Sequence, residues 1–247
     1  MLEIDNLKLR LSKIEIEEFK CFKDFKVDGL KRVNLICGKR RVGKTTFMRY
    51  IFDRAIEYAD YCRNGTAISF IGLFGMSDSE IIRLFQSNKN QNIESDLTRL
   101  LLEFDDSIES AIVIDYVPHY KIHGIYIDLR ELGEGLKRYI SIILVLYECR
   151  DSYLFIDGVD LYLHHRELSK LWETILTISK EVNCQVFITT HSKESLEAFS
   201  KVAEKLNDTD ISLMTLVRNQ QQEVKGIILD SEGLAYSIDC EHELRGW

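Results

Sequence analysis

The amino-acid sequence predicts an α/β fold with a largely parallel central sheet, an antiparallel β part at the N-terminal end and a small helical lobe. Short apolar runs alternate along the chain with patterns of helical spacing, which is typical of a parallel sheet covered by helices. Residues 13–27 instead alternate apolar and polar side chains, as half-buried antiparallel strands do. A glycine-rich turn joins the first apolar run, 33–37, to the helical pattern that follows it.

The predicted elements follow one another with short connections. Residues 33–37 (VNLIC) suit a strand covered on both faces, and residues 45–61 continue with apolar side chains at helical spacing. Later apolar runs predict strands at 67–73, 111–117, 153–156, 186–189, 212–218 and 224–229. Helical patterns lie between several of them, at 79–86, 136–147, 168–180 and 193–206. Because no linker or repeat interrupts this order, we expect a single domain over 1–247, with a small, mainly helical insert at about 62–110.

Composition and charge exclude some classes of protein. The chain has 247 residues, 45% of them hydrophobic, so it can bury a sizeable core. It has no apolar run of about 18 residues and no signal-like start, which predicts a cytoplasmic protein that does not enter a membrane. The net charge of −8 argues against a nucleic-acid footprint over the whole surface. A basic cluster remains, either a solvated face or a phosphate contact, made of Lys20, Lys23, Lys26, Lys31, Arg32, Lys39, Arg40 and Arg41.

The turn after the first apolar run matches GxxxxGK[ST] at every specified position. Glycines allow backbone N–H groups to face phosphate oxygens, and the start of the following helix adds partial positive charge. In such a phosphate loop, or P-loop, Lys44 reaches the β- and γ-phosphates and the Thr45 hydroxyl ligates Mg²⁺. The sequence therefore predicts that ATP and Mg²⁺ are bound at Gly38, Lys39, Arg40, Arg41, Val42, Gly43, Lys44, Thr45 and Thr46.

An aspartate follows another apolar run, 153–156. Asp157 has the position of a Walker B carboxylate, which can hold Mg²⁺ through water opposite Thr45. We therefore expect Thr45 and Asp157 to form the metal site.

Two further segments carry a resemblance to a known family. Residues 132–138 (LGEGLKR) open a helical pattern before Asp157, and residues 187–192 (FITTHS) follow a predicted strand. With the P-loop and the N-terminal segment IEEFKCFKDFKV, they occur in the order typical of ABC-type ATPases. From about residue 13 to residue 199, the sequence resembles the SMC, RecF and OLD-like (AAA-type) bacterial ATPases. The resemblance implies a P-loop NTPase with the fold of an ABC-type ATPase head.

The resemblance also implies a composite site. Two copies of the chain would sandwich ATP, each nucleotide lying between the P-loop of one copy and the signature helix of the other. Gly133, Glu134 and Gly135 would lie at the start of that helix, where backbone N–H groups favour anions, although Gly133 replaces the signature serine. His191 would sense the γ-phosphate by donating a hydrogen bond, so that His191 and Asp157 are the expected catalytic residues.

Some positions of the family pattern stay open. His164 and His165 fall where the loop at the dimer interface would lie, either as interface contacts or as ordinary surface histidines. No Q-loop glutamine is assigned, because Gln86 and Gln91 lie in a polar, helix-like insert.

The implied function is an ATPase subunit that dimerises around Mg-ATP and controls a partner effector, in DNA repair or phage defence by resemblance. Gly158 opens an alternative, because ABC-type ATPases normally carry a glutamate there that polarises the attacking water. Since a general base contributes about 10²–10⁴-fold, hydrolysis would be slow or disabled unless Asp160 or a partner subunit compensates. The alternative is a non-hydrolysing ATP sensor or scaffold subunit. A small-molecule kinase would leave residues 132–138 unexplained, and a nucleic-acid partner stays open.

Overall fold

The computed structural model describes residues 2–5, 10–62, 67–87 and 93–244. The strands in these ranges are β1 (Leu2–Asp5), β2 (Arg10–Phe19), β3 (Phe22–Asp28), β4 (Val33–Gly38), β5 (Ser69–Ile71), β6 (Ile108–Ile114), β7 (Val117–Ile122), β8 (Ile125–Asp128), β9 (Tyr153–Ile156), β10 (Gln185–Thr189), β11 (Ile211–Arg218) and β12 (Val224–Leu229). The helices are α1 (Lys44–Cys62), α2 (Asp78–Ser87), α3 (Ile93–Phe104), α4 (Glu134–Glu148), α5 (Leu168–Glu181), α6 (Lys193–Lys205) and α7 (Ser231–Asp239). None of the helices in this part of the chain combines the length and apolarity that a bilayer crossing requires.

The central sheet has the strand order β12-β11-β4-β10-β9-β5. β11, β4, β10, β9 and β5 run parallel, and β12 pairs antiparallel with β11 at one edge. Apolar side chains pack against both faces, so β4, β9 and β10 are buried along their whole length and read as uninterrupted apolar runs. The predicted α/β fold with a mostly parallel sheet is confirmed. Because these three strands are parallel neighbours, the turns that follow them lie side by side at one edge of the sheet.

A separate antiparallel sheet, β1-β2-β3, forms the N-terminal part, as the alternating pattern predicts. β3 lies so close to β12 that a Cβ added at Gly226 would be 2.4 Å from Val27 Cγ1. On the other side, Phe22 and Phe25 pack against Phe47 of α1, with ring centroids 5.7 and 5.3 Å apart. The N-terminal sheet therefore supports the helix that follows the P-loop.

The lobe between β5 and α4 differs from the prediction in one respect. α2 and α3 lie within the predicted helical insert, but the apolar run 111–117 is not a strand of the central sheet. It contains the turn between β6 and β7 of a third sheet, β6-β7-β8, which is antiparallel. Asp115 and Tyr116 form this two-residue turn, both with positive φ. The prediction was wrong because the turn lacks the usual Asn-Gly or Asp-Gly signal and leaves the apolar run unbroken.

α4 lies between the central sheet and the lobe. Its residues from Lys137 to Tyr147 are all buried, and they pack against α2, α3 and α5. α7 follows the last strand, and its N-terminus is capped by Asp230, which accepts a hydrogen bond from Gly233 N.

Candidate nucleotide-binding site

The P-loop connects β4 to α1 in a backbone conformation that requires glycine at two positions. Gly38 and Gly43 have φ of +142° and +119°, and a Cβ on Gly38 would lie 2.5 Å from Leu216 O. Val42 is buried and anchors the loop, whereas Lys39, Arg40 and Arg41 are exposed. Arg41 adopts the left-handed backbone conformation, with φ of +62°, although it is not a glycine. The loop thus exposes three consecutive basic side chains above a fixed backbone.

Lys44 is folded back into the P-loop. Its Nζ donates hydrogen bonds to Gly38 O at 2.7 Å and to Lys39 O at 3.0 Å, and the residue is 5% exposed. Burial lowers the pKa of Lys44 to about 8, although the nearby Cys37 and Asp157 oppose this shift. A buried ammonium held only by backbone carbonyls can exchange these bonds for bonds to phosphate oxygens.

Asp157 stands at the end of β9, opposite the first turn of α1. Its Oδ2 accepts a hydrogen bond from Thr45 Oγ1 at 2.8 Å, and its Oδ1 accepts one from Thr189 Oγ1 at 2.5 Å. The residue is 3% exposed. The residues therefore fit Mg²⁺, because a hydroxyl and a carboxylate oxygen are already adjacent and hard oxygen ligands are what this ion prefers. Thr189, which was not singled out from the sequence, orients the carboxylate.

Gly158 occupies a turn that is built around a glycine. Its φ is +68°, and a Cβ would lie 2.7 Å from Leu161 Cδ1 and 3.0 Å from Leu73 Cδ2. Its N–H donates to Thr189 Oγ1 at 2.7 Å. Gly158 therefore differs from the usual glutamate in two ways: it lacks the carboxylate, and its backbone has a left-handed conformation that disfavours any side chain.

Arg138 ties α4 to this turn. Its Nη2 donates to Asp157 O and Gly158 O, both at 2.8 Å, and its Nη1 donates to Gly72 O at 3.2 Å. The side chain is almost fully buried, which lowers the pKa of Arg138, although nearby Asp160 opposes the shift. Arg138 ends the segment 132–138 that carries the family resemblance, but no role was predicted for it from the sequence.

His191 and Asp160 lie beside the P-loop. His191 lines a cleft of about 900 Å³ together with Gly38, Lys39 and Arg40. Desolvation of the ring and the charge of Lys44 lower the pKa of His191, and Asp160 opposes this shift. Asp160 Oδ1 accepts a hydrogen bond from Thr190 Oγ1 at 2.8 Å. The structure therefore brings His191 to the P-loop, as a neutral imidazole near neutral pH.

Four apolar side chains complete the cleft: Leu73, Phe74, Leu161 and Tyr162, which together we name the apolar patch. None of these four residues was predicted from the sequence. Leu73 and Phe74 follow β5 and lie where the chain leaves the sheet towards the lobe. Gln86, by contrast, is in α2 and donates to Tyr116 O at 3.3 Å, and Gln91 lies outside the described residues.

The expected signature residues lie at the start of α4. Gly133 is its N-cap and supplies no side-chain hydrogen bond, and both Gly133 and Glu134 are exposed. Gly135 packs on the chain after β9, since its Cβ would lie 2.5 Å from Tyr162 O. These three residues do not line the P-loop cleft of their own chain. Phe74 and Tyr162 separate the two features and line a hollow beside Glu134.

Several charged and histidine side chains are engaged elsewhere. His164 caps the 3₁₀ turn His165–Glu167, and both histidines are exposed. In the basic cluster, the exposed Lys23 pairs with Glu18 and the exposed Lys26 pairs with Glu15, which favours the solvated-face interpretation for these two lysines. Arg32 fits neither interpretation, because it is buried and pairs with the buried Asp208.

Comparisons with known proteins find similarity to ATPase domains. Residues 77–196 match the AAA ATPase domain family. Over 166 residues, the chain is 25% identical to a protein of Helicobacter pylori described as an ATP/GTP phosphatase, an alignment that covers 64% of this chain and 44% of that protein. The chain thus spans less than half the length of this curated relative.

Solved structures share the fold at low sequence identity. An SMC head bound to the winged-helix domain of ScpA superposes with a TM-score of 0.64 at 11% identity, covering 90% of this chain and 98% of that one. CbiO1 of Clostridium perfringens, part of an ABC transporter complex, gives a TM-score of 0.52 at 14% identity, covering 90% and 84%. The chain therefore has the fold shared by SMC heads and ABC ATPases, and its residues 77–196 are similar to the AAA ATPase domain family.

Proposed function

We propose that the chain, as one domain over 1–247, is a cytoplasmic ATPase subunit that binds Mg-ATP, dimerises around it and thereby controls a partner effector. The observation that carries this proposal is the direct contact between Thr45 and Asp157 beside the buried Lys44. These three side chains supply a hydroxyl, a carboxylate and an ammonium within one small site, which is the set that binding a nucleoside triphosphate with Mg²⁺ requires.

In the proposed site, each group has a separate task. The P-loop amides and Lys44 hold the β- and γ-phosphates, and Thr45 with Asp157 holds Mg²⁺, which would neutralise phosphate charge. His191, which lines the same cleft, contacts the γ-phosphate and donates the hydrogen bond that a neutral imidazole retains. Asp160, held by Thr190, lies two residues after the position of the missing glutamate and is the proposed water-orienting group.

Dimerisation is proposed because one protomer offers only part of the phosphate-binding surface. The uncapped start of α4, at Gly133–Glu134, lies outside the P-loop cleft of its own chain but beside the apolar patch. Exposed backbone N–H groups at a helix start attract anions, so a second copy can place this end against the phosphates of the first. A partner effector is consistent with the SMC head that was solved with ScpA bound; the DNA-repair or phage-defence role follows the resemblance.

The second candidate is an ATP sensor or scaffold subunit that does not hydrolyse. Gly158 favours it, because any side chain would be strained in the left-handed turn and Leu161 and Leu73 would have to shift to admit the usual glutamate. In this case ATP binding alone would hold the dimer together and license the effector.

Steady-state phosphate release with Mg-ATP separates the two candidates. We expect slow turnover in the wild type and none in Lys44→Ala. The turnover rate of Asp160→Asn should be at least about tenfold below that of the wild type. Binding of a fluorescent ATP analogue, measured in parallel, should disappear only in Lys44→Ala. Unchanged nucleotide affinity in Lys44→Ala would refute the proposed site, and binding without any turnover in the wild type would select the sensor.

A further inference from the structure

The P-loop cleft and the start of α4 belong to one continuous face of the molecule. Phe74 and Tyr162 line both the cleft and the neighbouring hollow beside Glu134. Phe74 is 89% exposed and Tyr162 is 57% exposed, with Leu73 and Leu161 next to them. A contiguous group of large apolar side chains in water is typical of a surface that another molecule covers.

The P-loop edge of this face is basic. Lys39, Arg40 and Arg41 are all exposed there, and Arg40 has no ion pair within the described residues. Arg40 lines the cleft and lies close enough to His191 to lower the pKa of its ring. A guanidinium in this place can bind a carboxylate that approaches the cleft from outside.

The α4 edge of the same face is acidic. Glu131 and Glu134 are exposed, and the Glu134 side chain retains 62% of its accessible surface. Its nearest cation, Lys137, is 3.7 Å away and is held more closely by Asp78, at 2.9 Å. The Glu134 carboxylate is therefore only weakly neutralised within its own chain.

We propose that a second copy of the chain covers this face, and that Arg40 of each copy pairs with Glu134 of the other. The proposal rests on the proposed function and names the contact that gives the dimer its register. A face with a basic edge, an apolar centre and an acidic edge is complementary to itself under a two-fold rotation, which brings each edge against its opposite. The apolar patches then meet near the axis.

The pairing also explains why a carboxylate is tolerated at this place. Glu134 stands at the helix start that is proposed to face the phosphates of the other copy, where like charges repel. A guanidinium placed between them attracts both the carboxylate and the phosphates, and these two attractions offset the repulsion. Arg40 is the basic residue of the cleft that carries a guanidinium.

Charge reversal with mixed dimers tests the pairing. The wild type, Arg40→Glu, Glu134→Arg and the double variant are each studied by light scattering with Mg²⁺ and a non-hydrolysable ATP analogue. Arg54→Glu, an exposed arginine on α1 paired with Glu57, is the matched control for the change in net charge. Binding of a fluorescent ATP analogue to dilute protein reports separately whether each variant still takes up nucleotide.

We expect each single variant to raise the dimer dissociation constant at least about tenfold, because two pairs become repulsive in every dimer. An equimolar mixture of the two single variants should dimerise like the wild type, since each composite site then contains one opposite pair. The double variant should do the same. Arg54→Glu should leave the constant unchanged.

The possible failures are distinguishable. A wild type that stays monomeric with the analogue refutes the proposed ATP-dependent dimer and the pairing with it. If the wild type dimerises, two outcomes refute the pairing alone. One is that the single variants dimerise normally, and the other is that their mixture stays monomeric although both variants bind nucleotide. Native mass spectrometry of the mixture, with one variant tagged, must show the heterodimer for the pairing to stand.

Discussion

Substituting Gly158 tests whether the turn after Asp157 is built for glycine. Holding a non-glycine residue in the left-handed region costs about 1–2 kcal/mol. The added Cβ would lie 2.7 Å from Leu161 and 3.0 Å from Leu73, so both side chains must shift. Because they are 37% and 42% exposed, they can move towards solvent, and this adds about 0.5–1 kcal/mol. We therefore expect Gly158→Ala to lower the free energy of unfolding by about 2 kcal/mol and the Tm by about 4–8 °C.

The control for this experiment is Gly124→Ala. Gly124 has φ of +80° in the turn between β7 and β8, but no heavy atom lies within 4 Å of its added Cβ. Its substitution therefore reports the backbone cost alone, and the difference between the two alanine variants reports the leucine contacts. Urea unfolding gives both values. A Gly158→Ala variant within about 0.5 kcal/mol of the wild type would refute the reasoning.

The same turn sets an expectation for activity. Because Gly158 also donates to Thr189 and accepts from Arg138, a side chain that reshapes the turn disturbs the partners of Asp157. Gly158→Glu should therefore release phosphate no faster than Gly158→Ala. Faster release from the glutamate variant alone would mean that the turn accommodates the side chain and that only a carboxylate was missing.

Three further predictions concern the neighbours of the site and the lobe. Thr189→Val should weaken Mg-ATP binding about tenfold, because Asp157 loses the donor at 2.5 Å, whereas Thr189→Ser should retain most of the affinity in the same titration. Arg138→Met should lower the free energy of unfolding by about 2–4 kcal/mol in urea, since three carbonyl groups lose their donor; a loss below about 1 kcal/mol would contradict this. The Arg130 side chain and backbone N–H lower the pKa of Asp128 to about 2, so ionised Asp128 stabilises the fold above pH 4 and this stability is lost as the pH falls towards 2. Asp128→Asn should therefore cost about 1 kcal/mol at pH 7, and the difference from the wild type should shrink to roughly half by pH 3 in urea titrations.

The local features of the fold were predictable because each has its own sequence signal. The P-loop glycines, the buried runs of β4, β9 and β10 and the alternation in β2 and β3 all depend on neighbouring residues along the chain. The β6–β7 hairpin was not predictable in the same way, because Asp115 and Tyr116 adopt positive φ without the usual glycine. Its apolar run has the composition of a buried parallel strand. Only the packing of the run on the lobe distinguishes this hairpin from such a strand.

The cleft could be predicted only in part, because its apolar patch is assembled by the order of the strands. β5 pairs with β9, and this pairing places Leu73 and Phe74, which follow β5, beside Leu161 and Tyr162, which follow β9. The two pairs are far apart in sequence, and neither has a motif. Their one shared signal is that large apolar residues stand in the turns that follow strands, where polar residues are usual.

Arg138 gives the apolar patch and the start of α4 a common mechanical support. Its guanidinium binds the chain after β5 at Gly72 and the chain after β9 at Asp157 and Gly158, so the two segments that carry the patch are fixed to the helix that carries Glu134. A shift of Asp157 when Mg-ATP is bound would therefore be transmitted through Arg138 to both Phe74 and Glu134, the centre and the acidic edge of the proposed dimer face. If this coupling operates, Arg138→Lys, which keeps the charge but lacks the forked donors, should bind the ATP analogue with nearly wild-type affinity and yet dimerise at least about tenfold more weakly. Equal losses in binding and dimerisation would instead mean that Arg138 only supports the nucleotide site.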